Sequence, residues 1–296
     1  MYTIQHLKDL NILEIKNPDA SVYGKLYLDL GASLQELTLN RHNIIQDLSP
    51  LDYATTYASS ILFPFANRIK DGIYEFKGKT FQFEKNHTDE ANALHGLVFN
   101  KTFAIVSQYT SADNASVTLQ YIENSISKGF PYTYKITLNY KFTKASLSLK
   151  MSVENTDVKP FPFTVGWHPY FSSANLFDSE LVMDSKAKIV LGERNITTGT
   201  TPIKSNSGIK IKDQFFDDCW VLNTDKVVFK TPNYNLQFNA TGNTNFIQAY
   251  TPPKANTIAI EPTTGISDSF NNNIGLQVLK PNDTYSITWS LKLDNN

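Results

Sequence analysis

The sequence contains very little cysteine, and this scarcity excludes two kinds of architecture. Among its 296 residues, only Cys219 carries a thiol. A disulfide within one chain needs two cysteines, and a thiolate-rich metal centre needs several. The sequence therefore excludes a scaffold held together by internal disulfides and a cysteine-based metal site.

Long apolar runs and a predominant charge of one sign are also missing. No segment approaches the roughly 20 apolar residues that a membrane helix requires, and residues 1–13 mix His6, Lys8 and Asp9 among apolar side chains, unlike a secretory signal. Lys and Arg number 27 and Asp and Glu number 28, with no basic run that would follow a phosphate backbone. We therefore expect a cytoplasmic protein that binds neither membranes nor nucleic acid.

No Gly/Ser-rich linker, low-complexity tract or internal repeat divides the chain. Apolar residues instead recur at every second position, as in segments 25–30, 134–140 and 147–153, which is typical of half-buried antiparallel strands. Turn residues such as Lys77-Gly78-Lys79 and Asn233-Tyr234-Asn235 predict hairpins between strands. The pattern predicts a mainly β protein, a large sandwich that forms a single domain over residues 1–296.

Helical signals are scarce. The best is Ser49-Pro50, which fits an N-cap residue followed by proline at the first helical position. It predicts one short helix over residues 51–58.

Two histidines have sequence neighbours that suggest a site. His95 precedes Gly96, which allows a positive φ or a close backbone approach. His168 lies within the aromatic segment 166–171, whose rings can form a cavity the size of a sugar, next to the conformationally restricted Pro169. On composition alone, the more common interpretation of either residue is a structural histidine whose hydrogen bonds are satisfied. The other three have polar neighbours and are predicted to lie at the surface: His6, His42 and His87.

Charged residues beside apolar ones supply the remaining candidates. Glu261 ends an apolar run, so its carboxyl group can project into a partly dry site where desolvation keeps it a competent base; a hydrogen-bonded carboxylate at a strand end is the alternative. Arg68 has apolar residues nearby and needs a buried acceptor, which is either a carboxylate or a substrate hydroxyl. Asp217 and Asp218 are equally compatible with a turn.

Taken together and in order, these fragments resemble the aldose 1-epimerase, or galactose mutarotase, family. The resemblance begins at segment 31–37 and covers nearly the whole chain. It rests on the ordered set Asn67-Arg68-Ile69, Gly72-x-Tyr74-x-Phe76-x-Gly78, Asn92-x-Leu94-His95-Gly96, His168-Pro169-Tyr170-Phe171, Asp217-x-x-Trp220 and Glu261-Pro262. It implies a β-supersandwich of two large antiparallel sheets packed face to face, with a sugar cleft on a concave side.

The resemblance also implies roles for the matched residues. Glu261 corresponds to the general base and His168 to the general acid that open and close a cyclic hemiacetal. The residues that correspond to sugar-binding groups are Asn67, Arg68, His95 and Asp217. Asp217 is preferred to Asp218 because the family pattern counts from the aspartate to an aromatic residue three positions on, here Trp220. This acid–base chemistry needs no metal or redox cofactor, and the expected partner is a monosaccharide.

Departures from the family pattern weaken the inference to galactose itself. Leu97 follows Gly96 where a second glycine is common in the family, and Trp167 and Pro169 flank His168. A hexose-6-phosphate 1-epimerase is the second interpretation. It would need a cluster of cations around the cleft, and only Arg68 and Lys70 lie near a motif.

Two further interpretations come from other classes of protein. A non-catalytic carbohydrate-binding protein on the same scaffold is expected to have lost Glu261 or His168, and both are present. A metal site built from His95, His168, Asp217 and Glu261 has a suitable donor set, but no His-x-His or His-x-x-x-His spacing supports it.

Overall fold

Antiparallel strands dominate the computed structural model, which describes residues 1–203, 208–242 and 246–294. The strands of the first half are β1 Thr3–Leu7, β2 Ile12–Lys16, β3 Tyr23–Tyr27, β4 Ser33–Leu39, β5 His42–Ile45, β6 Ile61–Leu62, β7 Arg68–Ile69, β8 Ile73–Phe76, β9 Lys79–Gln82, β10 Ala93–Leu94, β11 Ala104–Thr110, β12 Asn114–Glu123 and β13 Tyr134–Thr143. Those of the second half are β14 Ser146–Asn155, β15 Phe161–Phe163, β16 Gly166–Trp167, β17 Tyr170–Ser172, β18 Glu180–Leu191, β19 Thr197–Pro202, β20 Ile209–Lys210, β21 Asp217–Lys230, β22 Asn235–Ala240, β23 Phe246–Tyr250, β24 Thr257–Thr263, β25 Gln277–Leu279 and β26 Thr284–Leu293.

The strands form one large sheet, one smaller sheet and three two-stranded ribbons. The large sheet has fifteen strands and follows the order β11-β12-β13-β14-β26-β22-β21-β23-β24-β16-β6, with β17 beside β24 and with β18, β19 and β20 branching from β21. The smaller sheet contains β1 to β5 in sequence order, and the ribbons are β7/β10, β8/β9 and β15/β25. The predicted β class with large antiparallel sheets is confirmed.

The small sheet packs directly on the large one. Alternate residues of β13 are buried, as the period-two pattern predicts, and they join residues of β2 to β4 in the main hydrophobic core. A Cβ atom added to Gly24 of β3 would lie 2.5 Å from the Phe142 ring, and the Tyr140 hydroxyl donates to the Ala32 carbonyl at 2.9 Å. This core includes residues from Tyr2 to Leu293. That residues 1–296 fold as a single domain stays a prediction, for which a calorimetric test is given below.

Both predicted hairpins are present. Lys77 and Gly78 join β8 to β9 with φ values of 51° and 71°, the two left-handed conformations that match the twist of a tight hairpin. Residues 231–234 join β21 to β22, where Lys230 pairs with Asn235 and the Thr231 hydroxyl donates to the Tyr234 carbonyl.

Helix is confined to short pieces. They are α1 Tyr53–Thr56, α2 Ser269–Asn272 and the 3₁₀ turns Lys8–Leu10, Lys70–Gly72, Leu176–Asp178 and Glu193–Asn195. In the described part of the chain, no helix is long and apolar enough to cross a membrane.

The boundaries predicted for the first helix are wrong. The helix covers Tyr53–Thr56 with Asp52 as its N-cap residue, because the Leu51 backbone N–H donates to the Leu48 carbonyl and places Ser49-Pro50 in a turn. Tyr57 then adopts a left-handed conformation that ends the helix.

Candidate functional site

All six predicted site residues line one cavity of about 290 Å³. They come from distant parts of the sequence, and the strand pairings bring them together. Strand β24 carries Glu261, β21 begins with Asp217, and His168 follows β16. The residues in question are Asn67, Arg68, His95, His168, Asp217 and Glu261.

His168 and Glu261 form the centre of this site. Gly166 pairs with Thr263, and Tyr170 pairs with Ala259, so His168 lies opposite Glu261 in the same antiparallel register. The Nε2 atom of His168 is 3.3 Å from the Oε1 atom of Glu261, and the two residues are only 4% and 2% exposed. The pair is therefore a dry contact between an imidazole and a carboxyl group at the cavity wall.

Burial acts on the two groups in opposite directions, because it disfavours the charged form of each. Desolvation lowers the pKa of His168 to about 3. Desolvation also raises the pKa of Glu261 well above its ordinary range; the negative charge of Asp217 adds to this shift, and the positive charge of Arg68 opposes it. Burial therefore favours the uncharged form of each group, which places the proton that the pair shares on Glu261.

Strand alternation decides which aspartate faces the cavity. Asp217 lines it and accepts a hydrogen bond from the Gln248 side chain at 2.7 Å, while Asp218 points to the opposite face and pairs with Lys188 at 2.7 Å. Desolvation raises the pKa of Asp217, and the Arg68 charge counteracts part of the shift. The turn considered for this segment is not present, because both aspartates belong to β21.

His95 and Asn67 are held in place by the backbone. Their φ values are 60° and 61°, and the His95 N–H donates to the Asn67 carbonyl at 2.8 Å. Gly96 has a φ of 77°, and a Cβ atom there would lie 2.2 Å from the Phe63 carbonyl oxygen. Both properties predicted for this glycine, positive φ and close backbone approach, are confirmed. Left-handed residues of this kind concentrate where surrounding structure enforces a particular geometry.

The two site histidines carry unsatisfied polar atoms. The Nδ1 atoms of His95 and His168 are buried without a hydrogen-bond partner, and their rings contact edge to face with centroids 5.0 Å apart. Burial, reinforced by His168 and Arg68, lowers the pKa of His95 well below its ordinary value. Unpaired buried nitrogens are costly and uncommon in folded proteins, so two of them side by side set this part of the cavity wall apart from the ordinary core.

The acceptor of Arg68 is a carboxylate, one of the two alternatives expected, and it is half-buried rather than fully buried. The guanidinium binds Glu90 through Nε and through Nη2, the latter at 3.1 Å, while Nη1 donates to the Asn67 side chain at 3.1 Å. Glu90 has no sequence signal of its own, because it lies in a polar segment that resembles an ordinary loop. Only the fold shows that it reaches Arg68.

Aromatic rings contact both site histidines. Tyr170 stacks on the His168 ring with centroids 5.0 Å apart, and Tyr57, which sequence reasoning missed, contacts His95 edge to face at 4.9 Å. His87, predicted to be a surface residue, is half-buried at the cavity wall with Nδ1 3.5 Å from a Glu90 oxygen. The remaining unpredicted polar and aromatic lining residues include Asn86, Gln248 and Tyr250. Tyr170 belongs to the aromatic segment 166–171, whose rings were expected to form a cavity, and its side chain does line this one.

A metal centre has no geometric support in the described residues. Although the cavity contains imidazole and carboxyl groups, no three His, Cys, Asp or Glu side chains within residues 1–203, 208–242 and 246–294 converge as ligands of one ion. The contacts found are between pairs, such as His168 with Glu261.

Comparison with known proteins identifies a matching family model and relatives in Escherichia coli K12. The family model for aldose 1-epimerase matches residues 14–292. The uncharacterised protein YihR of Escherichia coli K12 is 24% identical over 289 residues, covering 92% of this chain and 91% of its own. YphB from the same organism is 30% identical over 152 residues, which is 50% of each chain.

Solved structures share the fold. A galactose mutarotase-like protein from Clostridium acetobutylicum superposes with a TM-score of 0.88 at 18% identity, covering 100% of this chain and 99% of its own. A galactose 1-epimerase from Lactobacillus acidophilus superposes with a TM-score of 0.79 at 18% identity, covering 99% and 98%.

Proposed function

Because the chain belongs to the aldose 1-epimerase family, we propose that it interconverts the α and β anomers of an unphosphorylated aldose. The observation that carries this proposal is the buried contact of 3.3 Å between His168 and Glu261 at the wall of a cavity of about 290 Å³. A carboxyl group and an imidazole that share one proton are the two groups that anomer exchange requires.

Ring opening moves two protons and breaks one bond. Glu261 takes the proton of the C1 hydroxyl while His168 gives a proton to the ring oxygen, and the bond between C1 and the ring oxygen breaks to leave an open-chain aldehyde. Rotation about the C1–C2 bond presents the other face of the aldehyde. Ring closure runs the same proton transfers in reverse. Glu261 and His168 therefore return to the protonation states in which they began.

The starting state of the pair follows from its burial. The shared proton starts on Glu261, because desolvation favours two uncharged groups. Transfer across the contact to His168 produces the carboxylate and the imidazolium without any exchange with solvent. A bound sugar supplies the stabilisation, since its C1 hydroxyl donates to the carboxylate and its ring oxygen accepts from the imidazolium.

The other four residues serve as sugar-binding groups in this proposal. Asp217 accepts hydroxyl hydrogen bonds, and the His95 ring, which also lines the cavity, bonds a further hydroxyl. Arg68 and Asn67, which hydrogen bond each other, present polar atoms at the cavity wall. This arrangement suits a ligand that offers many neutral hydroxyl groups.

The charges at the cavity favour a neutral sugar over a sugar phosphate. Arg68 is already bound to Glu90 through two nitrogens, and no lysine is among the described residues that line the cavity. A phosphate ester brings a charge of roughly −1.5 to −2 at neutral pH. Asp217 and Glu261 would add carboxyl groups rather than cations to its surroundings.

Polarimetry of freshly dissolved pure anomers tests the proposal. The protein should accelerate mutarotation of at least one neutral aldose in a panel that includes glucose, galactose and glucose 6-phosphate, and EDTA should leave the rate unchanged. Saturable sugar binding without any acceleration would replace the enzyme with the non-catalytic carbohydrate-binding alternative. Loss of the rate in EDTA and its return with a divalent ion would support the metal interpretation.

A further inference from the structure

Glu90 stands behind Arg68, outside the set of residues that line the cavity. Its side chain is only 17% exposed. Its carboxylate accepts from two nitrogens of Arg68 and from the Asn195 side chain at 2.7 Å. The Arg68 charge lowers the pKa of Glu90 against the opposing effect of desolvation. Glu90 is thus a half-buried carboxylate paired with a cavity-lining arginine.

The location of this pair matters because Arg68 is the one Lys or Arg side chain among the described residues that line the cavity. Carboxyl groups are more numerous there, since Asp89, Asp217 and Glu261 all contribute to the lining. An arginine with a free guanidinium edge is the residue best suited to bind a phosphate through two parallel hydrogen bonds. Glu90 occupies the Nε and Nη2 edge that such a phosphate would use.

We propose that Glu90 determines substrate specificity by neutralising Arg68, so that the site accepts neutral sugars and rejects phosphorylated ones. The inference rests on the proposed function and names the element that sets its substrate class. Glu90 acts through Arg68 and is a positioning residue. The site also works against a phosphorylated sugar, because the phosphate would meet an arginine that is already compensated and the carboxyl groups of Asp89 and Asp217.

The test compares three variants with the wild-type protein. Glu90→Gln keeps the size of the side chain and removes its charge. Glu90→Asp keeps the charge and serves as the conservative rescue. Glu84→Gln makes the same chemical change as the first variant at an exposed position of the same segment, outside the cavity lining.

Two ratios are measured for glucose 6-phosphate relative to glucose: kcat/KM in the mutarotation assay and affinity in a binding titration. Glu90→Gln should raise both ratios roughly tenfold or more, which corresponds to about 1.4 kcal/mol. Glu84→Gln should leave them unchanged, and Glu90→Asp should stay near the wild-type ratios. Equal losses for both sugars in Glu90→Gln would show a purely structural role and overturn the proposal.

The proposed mutarotase function and the role of Glu90 in specificity are tested by different results. Without mutarotation by the wild-type protein, the proposed function fails, while the binding ratios still test the role of Glu90. If Glu90→Gln does not fold, Arg68→Gln tests the same charge balance from the other side. It leaves Glu90 uncompensated and should raise the binding of glucosamine relative to glucose roughly tenfold. An unchanged glucosamine ratio in the folded variant would refute the charge-balance argument.

Discussion

The Nε2 atom of His168 and the Oε1 atom of Glu261 lie 3.3 Å apart because the two residues occupy opposed positions on antiparallel segments. Glu261 lies within β24, and His168 lies in the two-residue link between β16 and β17, where its backbone is hydrogen-bonded to Ser59 and Ser60. Strand β24, which carries Glu261, is hydrogen-bonded to β23 on one side and to β16 and β17 on the other. The sheet therefore holds both groups at their separation before any ligand arrives, which limits the reorganisation needed for proton transfer.

Removing either member of this pair should abolish most of the activity. Glu261→Gln keeps the shape and removes the base, and His168→Asn removes the acid while retaining a hydrogen-bonding group. Each should lower kcat by roughly 10²-fold or more, the scale of a positioned acid or base. Because each transfer needs the other, the double variant should lose much less than the product of the single losses. Polarimetry on proteins with native circular dichroism measures this, and near wild-type turnover in Glu261→Gln would falsify the assigned base.

The same substitutions should change the pH dependence of stability with opposite signs. His168 has a folded-state pKa of about 3 against an ordinary value of 6.5, so its contribution to stability is complete above 6.5 and declines as the pH falls toward 3. Glu261 has a raised folded-state pKa, so its contribution is complete below its ordinary value of 4.5 and declines as the pH rises. Between these ordinary values the folded and unfolded states of the pair bind equal numbers of protons, and the two effects cancel.

Urea unfolding across pH 4.5 to 6.5 reveals the cancellation. Relative to wild type, Glu261→Gln should lose stability as the pH falls, because only His168 remains to titrate. His168→Asn should lose stability as the pH rises, because only Glu261 remains. The slope for one proton is at most about 1.4 kcal/mol per pH unit. Parallel curves for wild type and both variants would show that the two groups are not held uncharged in the folded protein.

Arg68→Lys should be damaging although the charge is retained. Arg68 places its Nε, Nη1 and Nη2 atoms on two different partners, and a lysine ammonium is a single point charge that cannot reproduce this fork. We expect kcat/KM to fall roughly tenfold or more, the consequence of losing one charge-assisted hydrogen bond. Arg41→Lys is the matched control, since Arg41 forms an exposed pair with Asp19 outside this cavity. Wild-type kcat/KM in Arg68→Lys would remove Arg68 from the site.

Thermal unfolding should occur in one cooperative transition. The main hydrophobic core takes residues from β2 to β4 and from β12 to β14 and β26, so neither sheet can expose its buried face without disrupting the other. Differential scanning calorimetry of the isolated protein measures this. Two well-resolved transitions would indicate independently folding units and contradict the single domain predicted for residues 1–296.

The strands and turns were accessible from the sequence because their signals are local. Alternation in segments 134–140 and 147–153 reflects the two faces of a strand and needs no knowledge of the partner strand. Lys77-Gly78 predicted a hairpin through the backbone conformations that a tight turn demands. The helix near residue 53 was found with the wrong boundaries, because Ser49-Pro50 satisfies the rules for a helix start and for a turn alike.

The resemblance to a family pattern indicated which residues form the site. It did not indicate how those residues are arranged relative to one another. The sequence by itself determined the β architecture, the hairpins and the chemical types available for catalysis. Only the tertiary structure decided that Asp217 faces the cavity and Asp218 does not, that His87 lies at the cavity wall, and that the acceptor of Arg68 is Glu90. The physical reason is separation along the chain. Strand registry converts residues 93 positions apart, His168 and Glu261, into immediate neighbours, and the burial that shifts their pKa values exists only after the sheets have closed over them.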